Sequence, residues 1–233
     1  MLCLALVYRD GKYEKTQLEV NEESQLYIYA NDKKIASMTA SPFMLNELLV
    51  GYLYTEGYIN SEQDIKDIRI DIKGDEFHLY SSIKKNAPRK ENTGQISCSL
   101  HLDAHGLTSL VNNWQQTDSL YKKCGGIHSV ALGIQDEILA LGEDVGRYNS
   151  LDKLIGYCLL NKIKMNDKIL IFSGRLSLGI IRKAYKSKAE ILISRSAVTE
   201  SVVNFARKSG QTLVGYARES GFIIYAHPKR IKE

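Results

Sequence analysis

Lys168 to Ser194 reads KILIFSGRLSLGIIRKAYKSKAEILIS. An apolar run, Ile169 to Phe172, is followed by the polar cluster Ser173-Gly174-Arg175, a stretch with helical character, and a second apolar run, Ile191 to Ile193. This is strand, helix, strand. A connection of this kind predicts at least some parallel strands with helices packed on the faces of the sheet. Downstream, the pattern continues with a helix capped near Thr199 and closed by Gly210, then strands TLVGYA and FIIYA. Upstream, GIHSVALGI and EILALGEDV form two strands turning at Gln135-Asp136. Between them and Lys168, Leu151, Leu154, Ile155, Cys158 and Leu159 line one helix face, for which Asn149 or Ser150 is the expected N-cap. LTSLVNNW is a further helix. Residues 107–233 therefore read as an α/β domain.

The first forty residues alternate polar and apolar positions around Asp10-Gly11 and Asn31-Asp32, the pattern of short hairpins. One helix follows, with Leu45, Leu48, Leu49, Tyr52 and Leu53 on one face and Gly57 at its end, then a hairpin around Gly74-Asp75. Ser81 to Gln95 is polar, lysine-rich and broken by Pro88, so it is the expected linker. The predicted organisation is a β-rich subdomain over 1–93, a mobile cysteine loop over 94–106 and the α/β domain.

A chain of 233 residues, 44% hydrophobic, can bury an ordinary core without covalent staples. Its net charge of +4 is too small to argue for nucleic acid. The four cysteines are widely spaced, and the apolar start MLCLALV is too short for a signal peptide or membrane span, which predicts a cytoplasmic protein with reduced thiols and no membrane partner.

Polar clusters recur just after predicted strands, at Asp144 and Arg147, at Ser173, Gly174 and Arg175, at Ser194, Arg195 and Ser196, and at Tyr216, Ala217, Arg218, Glu219, Ser220 and Gly221. In open α/β sheets those strand ends form the ligand crevice, where helix N-termini offer free N–H groups to anions. Arginine supplies a planar fork for phosphate. Four such arginines suit a ligand with two or more phosphates. Gly125 and Gly126 let backbone approach a ligand beside His128, although a strand histidine also serves as a hydrogen-bonded core residue. Asp144 and Asn149 have structural alternatives too, holding an arginine or capping a helix.

Cys158 lies on an apolar helix face and Cys3 in a terminal strand, both positions of packing. Cys124 follows two lysines. Cys98 stands in a Ser/Gly-flanked segment near His101 and His105, which are placed to accept its proton. The spacing of Cys98, His101 and His105 also admits zinc, with Asp103 or a distant residue completing the set. A zinc nucleobase deaminase is excluded, because that class needs a Pro-Cys pair and the chain has none.

Taken together, CGGIHSVAL, EDVGRYNSLDKLIG, SGRLS, ILISRSAVTESV and LVGYARESGFIIYAHPKRI, with LNELLVGYLYTEGYI upstream, resemble the FdhD family of formate dehydrogenase accessory sulfurtransferases. The resemblance implies a sulfurtransferase that takes sulfur from a cysteine desulfurase, carries it as a persulfide on Cys98, and delivers it to a molybdenum or tungsten bis(molybdopterin guanine dinucleotide) cofactor for formate dehydrogenase. It implies that Tyr216 to Gly221 bind that cofactor, that guanine nucleotide occupies the same site, a cytidine-deaminase-like core, and a homodimer. Three positions depart from the family pattern: His101 replaces the second thiol of a C-x-x-C pair, Cys124 replaces a threonine and Tyr148 replaces a histidine. Cys124 is thus a candidate second sulfur stop. The rival readings are a non-catalytic nucleotide-binding chaperone and a zinc protein using Cys98, His101 and His105.

Overall fold

A computed structural model of the chain describes residues 2–84, 94–97, 99–117 and 119–232. Cys98 and residues 85–93 of the expected linker lie outside them. The N-terminal part begins with a hairpin, β1 (Leu2–Arg9) and β2 (Lys12–Glu19), that joins no other sheet among the described residues. Next come β3 (Ser24–Ala30), β4 (Lys33–Ala40), helix α1 (Leu45–Thr55), β5 (Ile65–Lys73) and β6 (Glu76–Ile83). These strands form a four-stranded sheet in the order β4-β3-β6-β5. Leu26, Ile28 and Leu79 on one face pack against Leu48, Leu49 and Leu53 of α1. Turns at Asp10-Gly11, Asn31-Asp32 and Gly74-Asp75 fall where the short polar pairs predict them.

The C-terminal part opens with β7 (Leu102–Asp103), α2 (Ala104–Gln116) and α3 (Leu120–Cys124). Helix α2 starts at Ala104, inside the segment expected as loop, because the Asp103 carboxylate accepts the Gly106 N–H at 2.5 Å and caps it. The chain continues through β8 (His128–Ile134), β9 (Glu137–Asp144), α4 (Arg147–Leu160), β10 (Ile169–Phe172), α5 (Leu178–Ser187), β11 (Ile191–Ser194), α6 (Glu200–Ser209), β12 (Thr212–Arg218), β13 (Gly221–Ala226) and β14 (Ile231–Lys232). The central sheet has the order β13-β12-β11-β10-β8-β9, with β10, β11 and β12 parallel. Alternation along the strands divides the core. Leu170, Phe172 and Leu192 face α4, α5 and α6, whereas Ile169, Ile171, Ile191 and Ile193 face α2. With both faces covered, β10 and β11 are apolar along almost their whole length.

Helices α1 and α4 weld the two parts together. A Cβ on Gly51 would stand 1.8 Å from Asp152 O, and one on Gly156 1.8 Å from Glu47 O, so only glycine permits this crossing. Two buried ion pairs flank it. Lys183 Nζ meets the Asp152 carboxylate at 2.7 Å, and Asp152 also accepts the Thr55 hydroxyl. Lys153 Nζ meets Asp144 at 2.7 Å with both side chains fully buried, donates to Ser41 O, and sits 3.9 Å from the Phe43 ring centre.

Candidate functional site

Strand direction places the polar clusters at one end of the central sheet. The carboxyl ends of β9, β10, β11 and β12 and the amino end of the antiparallel β8 all lie there. A shallow cleft is lined by His128, Arg147, Ser150, Phe172, Ser173, Gly174 and Arg175. Gly174 is a point of close approach within it. A Cβ there would lie 3.0 Å from His128 Nδ1 and 3.3 Å from Arg147 Cδ, so the bare backbone brings the ring and the arginine together. Arg147 Nη1 donates to Arg175 O at 3.3 Å, and the Ser173 hydroxyl accepts the Ser129 N–H at 3.0 Å.

The neighbouring strand ends continue this surface. Ser194 is buried; its hydroxyl lies 3.0 Å from Gly174 O and accepts the Ser196 N–H, tying β10 to β11. Arg218 Nη1 donates to Arg195 O and to Ala217 O. Arg195 Nε is buried with no hydrogen-bond partner, an open donor beside this group. Tyr216 stands in the irregular stretch of β12 at φ 52°, with its N–H on Ser196 O and its side chain 48% exposed. A tyrosine in the left-handed region is costly and marks a place where the surroundings impose the backbone. Glu219 and Ser220 are exposed in the turn before Gly221.

Electrostatics at the cleft follow from these contacts. Burial, and then the Arg147 charge, hold the His128 pKa below its ordinary 6.5, against a weaker opposite pull from Asp144. The ring is therefore neutral at pH 7, able to donate from one nitrogen and accept at the other.

Two expected ligand contacts belong instead to the fold. Asp144 is fully buried and accepts from Ser41 N, Gly146 N, Asn149 Nδ2 and Lys153 Nζ. Asn149 is not a cap either, since α4 begins at Arg147 with Gly146 at its N-cap, and the Asn149 amide bonds Thr39 O and Asp144. Both residues join the N-terminal part to the strand ends. Sequence reading missed them as junction residues because Ser41 and Thr39 are more than a hundred positions away.

Gly125 and Gly126, just ahead of β8, lie at φ 62° and 60°, a conformation that only glycine adopts without strain. Asn21 Nδ2 donates to Gly125 O at 2.6 Å. Cys124 is half-buried beside them, lining a cavity of about 200 Å³ with Glu19, Asn21, Ser41, Phe43 and Leu120. Burial pushes the Cys158 thiol up to about 12, consistent with inert packing. Cys3 is exposed on the hairpin.

The residues flanking Cys98 fasten at the other end of the sheet. Ser99 N, Ser99 Oγ and Leu100 N all donate to the Glu190 carboxylate, just before β11, at 2.5 to 2.9 Å. The Ile96 N–H bonds Ser209 O, ahead of β12. His101 is exposed, and His105 is exposed on the first turn of α2. Among the described residues no three His, Cys, Asp or Glu side chains are grouped to hold a metal. Also among them, no helix is long and apolar enough to cross a membrane. Glu190 carried no signal in the sequence; only the returning chain shows what it holds.

The chain is thus a mixed α/β protein whose cleft joins Arg147, Arg175, the bare Gly174 and a neutral histidine at one end of its central sheet. The chain belongs to the FdhD/NarQ family, whose model matches residues 21–232. It is similar to the "Sulfur carrier protein FdhD" of Bacillus pumilus, 33% identical over 97% of this chain and 95% of that protein. The protein of the same name from Bacillus subtilis is 30% identical, also over 97% and 95%. In fold it matches a crystal structure of a formate dehydrogenase accessory protein from Desulfotalea psychrophila, with TM-score 0.82, 24% identity, and coverage of 99% of this chain and 98% of that one.

Proposed function

We propose that this protein is a cytoplasmic sulfur carrier serving formate dehydrogenase. It takes sulfur from a cysteine desulfurase as a persulfide on Cys98 and delivers it to a molybdenum or tungsten bis(molybdopterin guanine dinucleotide) substrate. The observation that carries the reading is the arginine-lined cleft. Arg147, Arg175, Arg195 and Arg218 offer charge and forked donors to the diphosphates of such a cofactor, and the orphaned Arg195 Nε is a donor such a ligand would satisfy. His128, neutral, and the bare Gly174 backbone would let a nucleotide approach closely. Guanine nucleotide alone would occupy the same cleft. The mixed central sheet accords with a cytidine-deaminase-like core that has no use for the deaminase zinc motif.

Loading is a thiol exchange. The Cys98 thiolate attacks the outer sulfur of the desulfurase persulfide, a new S–S bond forms, and the desulfurase cysteine departs as thiolate. His101 or His105 would accept the Cys98 proton. Incubation with a desulfurase and free cysteine should add one sulfur to Cys98 by mass spectrometry. Cys98→Ala should lose that adduct and leave the client dehydrogenase made but inactive. A client fully active with Cys98→Ala, or wild-type protein that takes up no sulfur, would overturn the proposal; the latter would leave a nucleotide-binding chaperone. Stoichiometric zinc lost on His101→Ala would instead assign the thiol to a metal.

A further inference from the structure

The cavity beside Cys124 lies apart from the arginine cleft and shares no lining residue with it. Three segments border its space of about 200 Å³: residues 19–22 at the end of β2, residues 41–43 ahead of α1, and Leu120 and Cys124 of α3. By the same measure one water needs only about 10–15 Å³, so there is room for a small organic molecule. Val20, Phe43 and Leu120 supply apolar wall, whereas the exposed Glu19 and Glu22 set two carboxylates on the rim. Polar capacity inside is unspent. Ser41 is 1% exposed; its hydroxyl oxygen accepts the Val145 N–H at 3.2 Å, and its own hydrogen has no acceptor among the described residues. Asn21 donates to Gly125 O, and its side-chain oxygen likewise has no partner there. A buried hydroxyl left without an acceptor costs free energy that a ligand recovers.

The thiol on this wall is placed to react. Cys158 is sealed in the core, its pKa pushed up to about 12 by burial, and Cys3 stands open on the hairpin. Of the three described cysteines, Cys124 alone lines this cavity. Lys122, two positions before it, reaches Gln116 O at 3.1 Å, and the cavity lining itself holds two carboxylates and no cation. The chemistry of the walls selects a guest. Carboxylates attract an ammonium group, apolar side chains take a short methylene chain, and a thiolate exchanges with a disulfide. The disulfide of a short aminothiol, such as cystamine, has all three features.

We infer that this cavity is a covalent capture site for disulfides of low-molecular-weight aminothiols, with Cys124 as the nucleophile and Glu19 and Glu22 as the groups that recognise the ammonium. The Cys124 thiolate attacks one sulfur of the disulfide, a mixed disulfide forms between Cys124 and one aminothiol half, and the other half departs as thiolate. A reducing thiol reverses the step by the same exchange, so Cys124 is a site of reversible modification. The inference uses neither the arginine cleft nor Cys98, and so stands or falls apart from the sulfur-carrier reading.

The test uses the full-length protein and two disulfides of similar size and opposite charge, cystamine and dithiodiglycolate, with the adduct at each cysteine followed in time by peptide mass mapping. Exposed Cys3 is the internal reference for the intrinsic reactivity of each reagent. Relative to Cys3, cystamine should modify Cys124 about tenfold faster than dithiodiglycolate does, since two ion pairs formed by the cationic reagent become repulsions with the anionic one. Glu19→Gln/Glu22→Gln should bring the two reagents to parity at Cys124 while the circular dichroism spectrum stays that of the wild type. Dithiothreitol should remove the Cys124 adduct. No adduct at Cys124, equal rates for the two reagents in the wild type, a preference for dithiodiglycolate, or a cystamine preference that survives the double variant would overturn the inference.

Discussion

At the carboxyl ends of β9 to β12 the chain gathers arginines and leaves a donor open, whereas at the amino end of β11 one buried carboxylate, Glu190, is filled by the backbone and hydroxyl of Ser99 and the backbone of Leu100. Each end keeps one buried guanidinium nitrogen without a hydrogen-bond partner, Arg195 Nε at the first and, at the second, Nε of Arg230, whose other nitrogens hold Gly210 O and Ile96 O. What differs is the partner: the first end lines a cleft with Arg147 and Arg175, whereas the second sets its carboxylate on the backbone of its own chain. The four residues of β11, about 13 Å of extended chain, separate them. The proposed binding of a nucleotide and the anchoring of the segments beside Cys98 thus fall on different ends of the sheet, and each can be damaged alone.

The harshest way to break the contrast is to remove a charge that supports the arginine end from within. Lys153→Met leaves Asp144 buried and unpaired, and should cost about 3–5 kcal/mol of stability, read as the midpoint of urea unfolding. Glu190→Gln attacks the other end. It should cost about 1.5–3 kcal/mol, because charged acceptor bonds are weakened, while affinity for GDP by calorimetry stays at the wild-type value. The converse variant, Arg147→Ala, should lower GDP affinity about tenfold or more and leave the sulfur adduct on Cys98 intact. If Glu190→Gln reduces GDP affinity as much as Arg147→Ala does, the two ends are not independent.

A finer test uses His128. Its folded pKa lies below the unfolded 6.5, so the unfolded chain binds more protons in that window and stability falls as pH drops through 6.5 toward the folded value. His128→Gln should flatten this acid-side decline, read as the urea midpoint followed across that pH range. By NMR the ring should titrate below 6.5 in the free protein and move upward when GDP binds, since an anion favours the protonated ring. A titration unmoved by GDP would place the nucleotide away from Gly174 and His128.

Much of the architecture was legible because local signals agree with one another. The turn pairs Asp10-Gly11, Asn31-Asp32 and Gly74-Asp75, the stop at Gly210 and the uninterrupted runs at Ile169 and Ile191 each depend on neighbours within a few positions. The grouping of Arg147, Ser173, Gly174 and Arg195 was legible too, since strand direction carries every such cluster to one side. Asp144 and Asn149 misled for the opposite reason. Their partners Ser41 and Thr39 arrive from a separate sheet, and nothing near them in sequence shows that their hydrogen-bonding capacity is already used.

From the residues alone came the order of strands and helices, the polar clusters at the strand ends, and Cys98 as the thiol to test, because periodicity, turn chemistry and residue type act over short range. Only the folded chain decided that Asp144 and Lys153 clamp its two parts, that Glu190 ties down the neighbours of Cys98, and that the leucines of the first strand stay uncovered. Those facts are pairings across 90 to 112 positions, or exposure among the described residues, and burial, unlike propensity, belongs to the whole molecule.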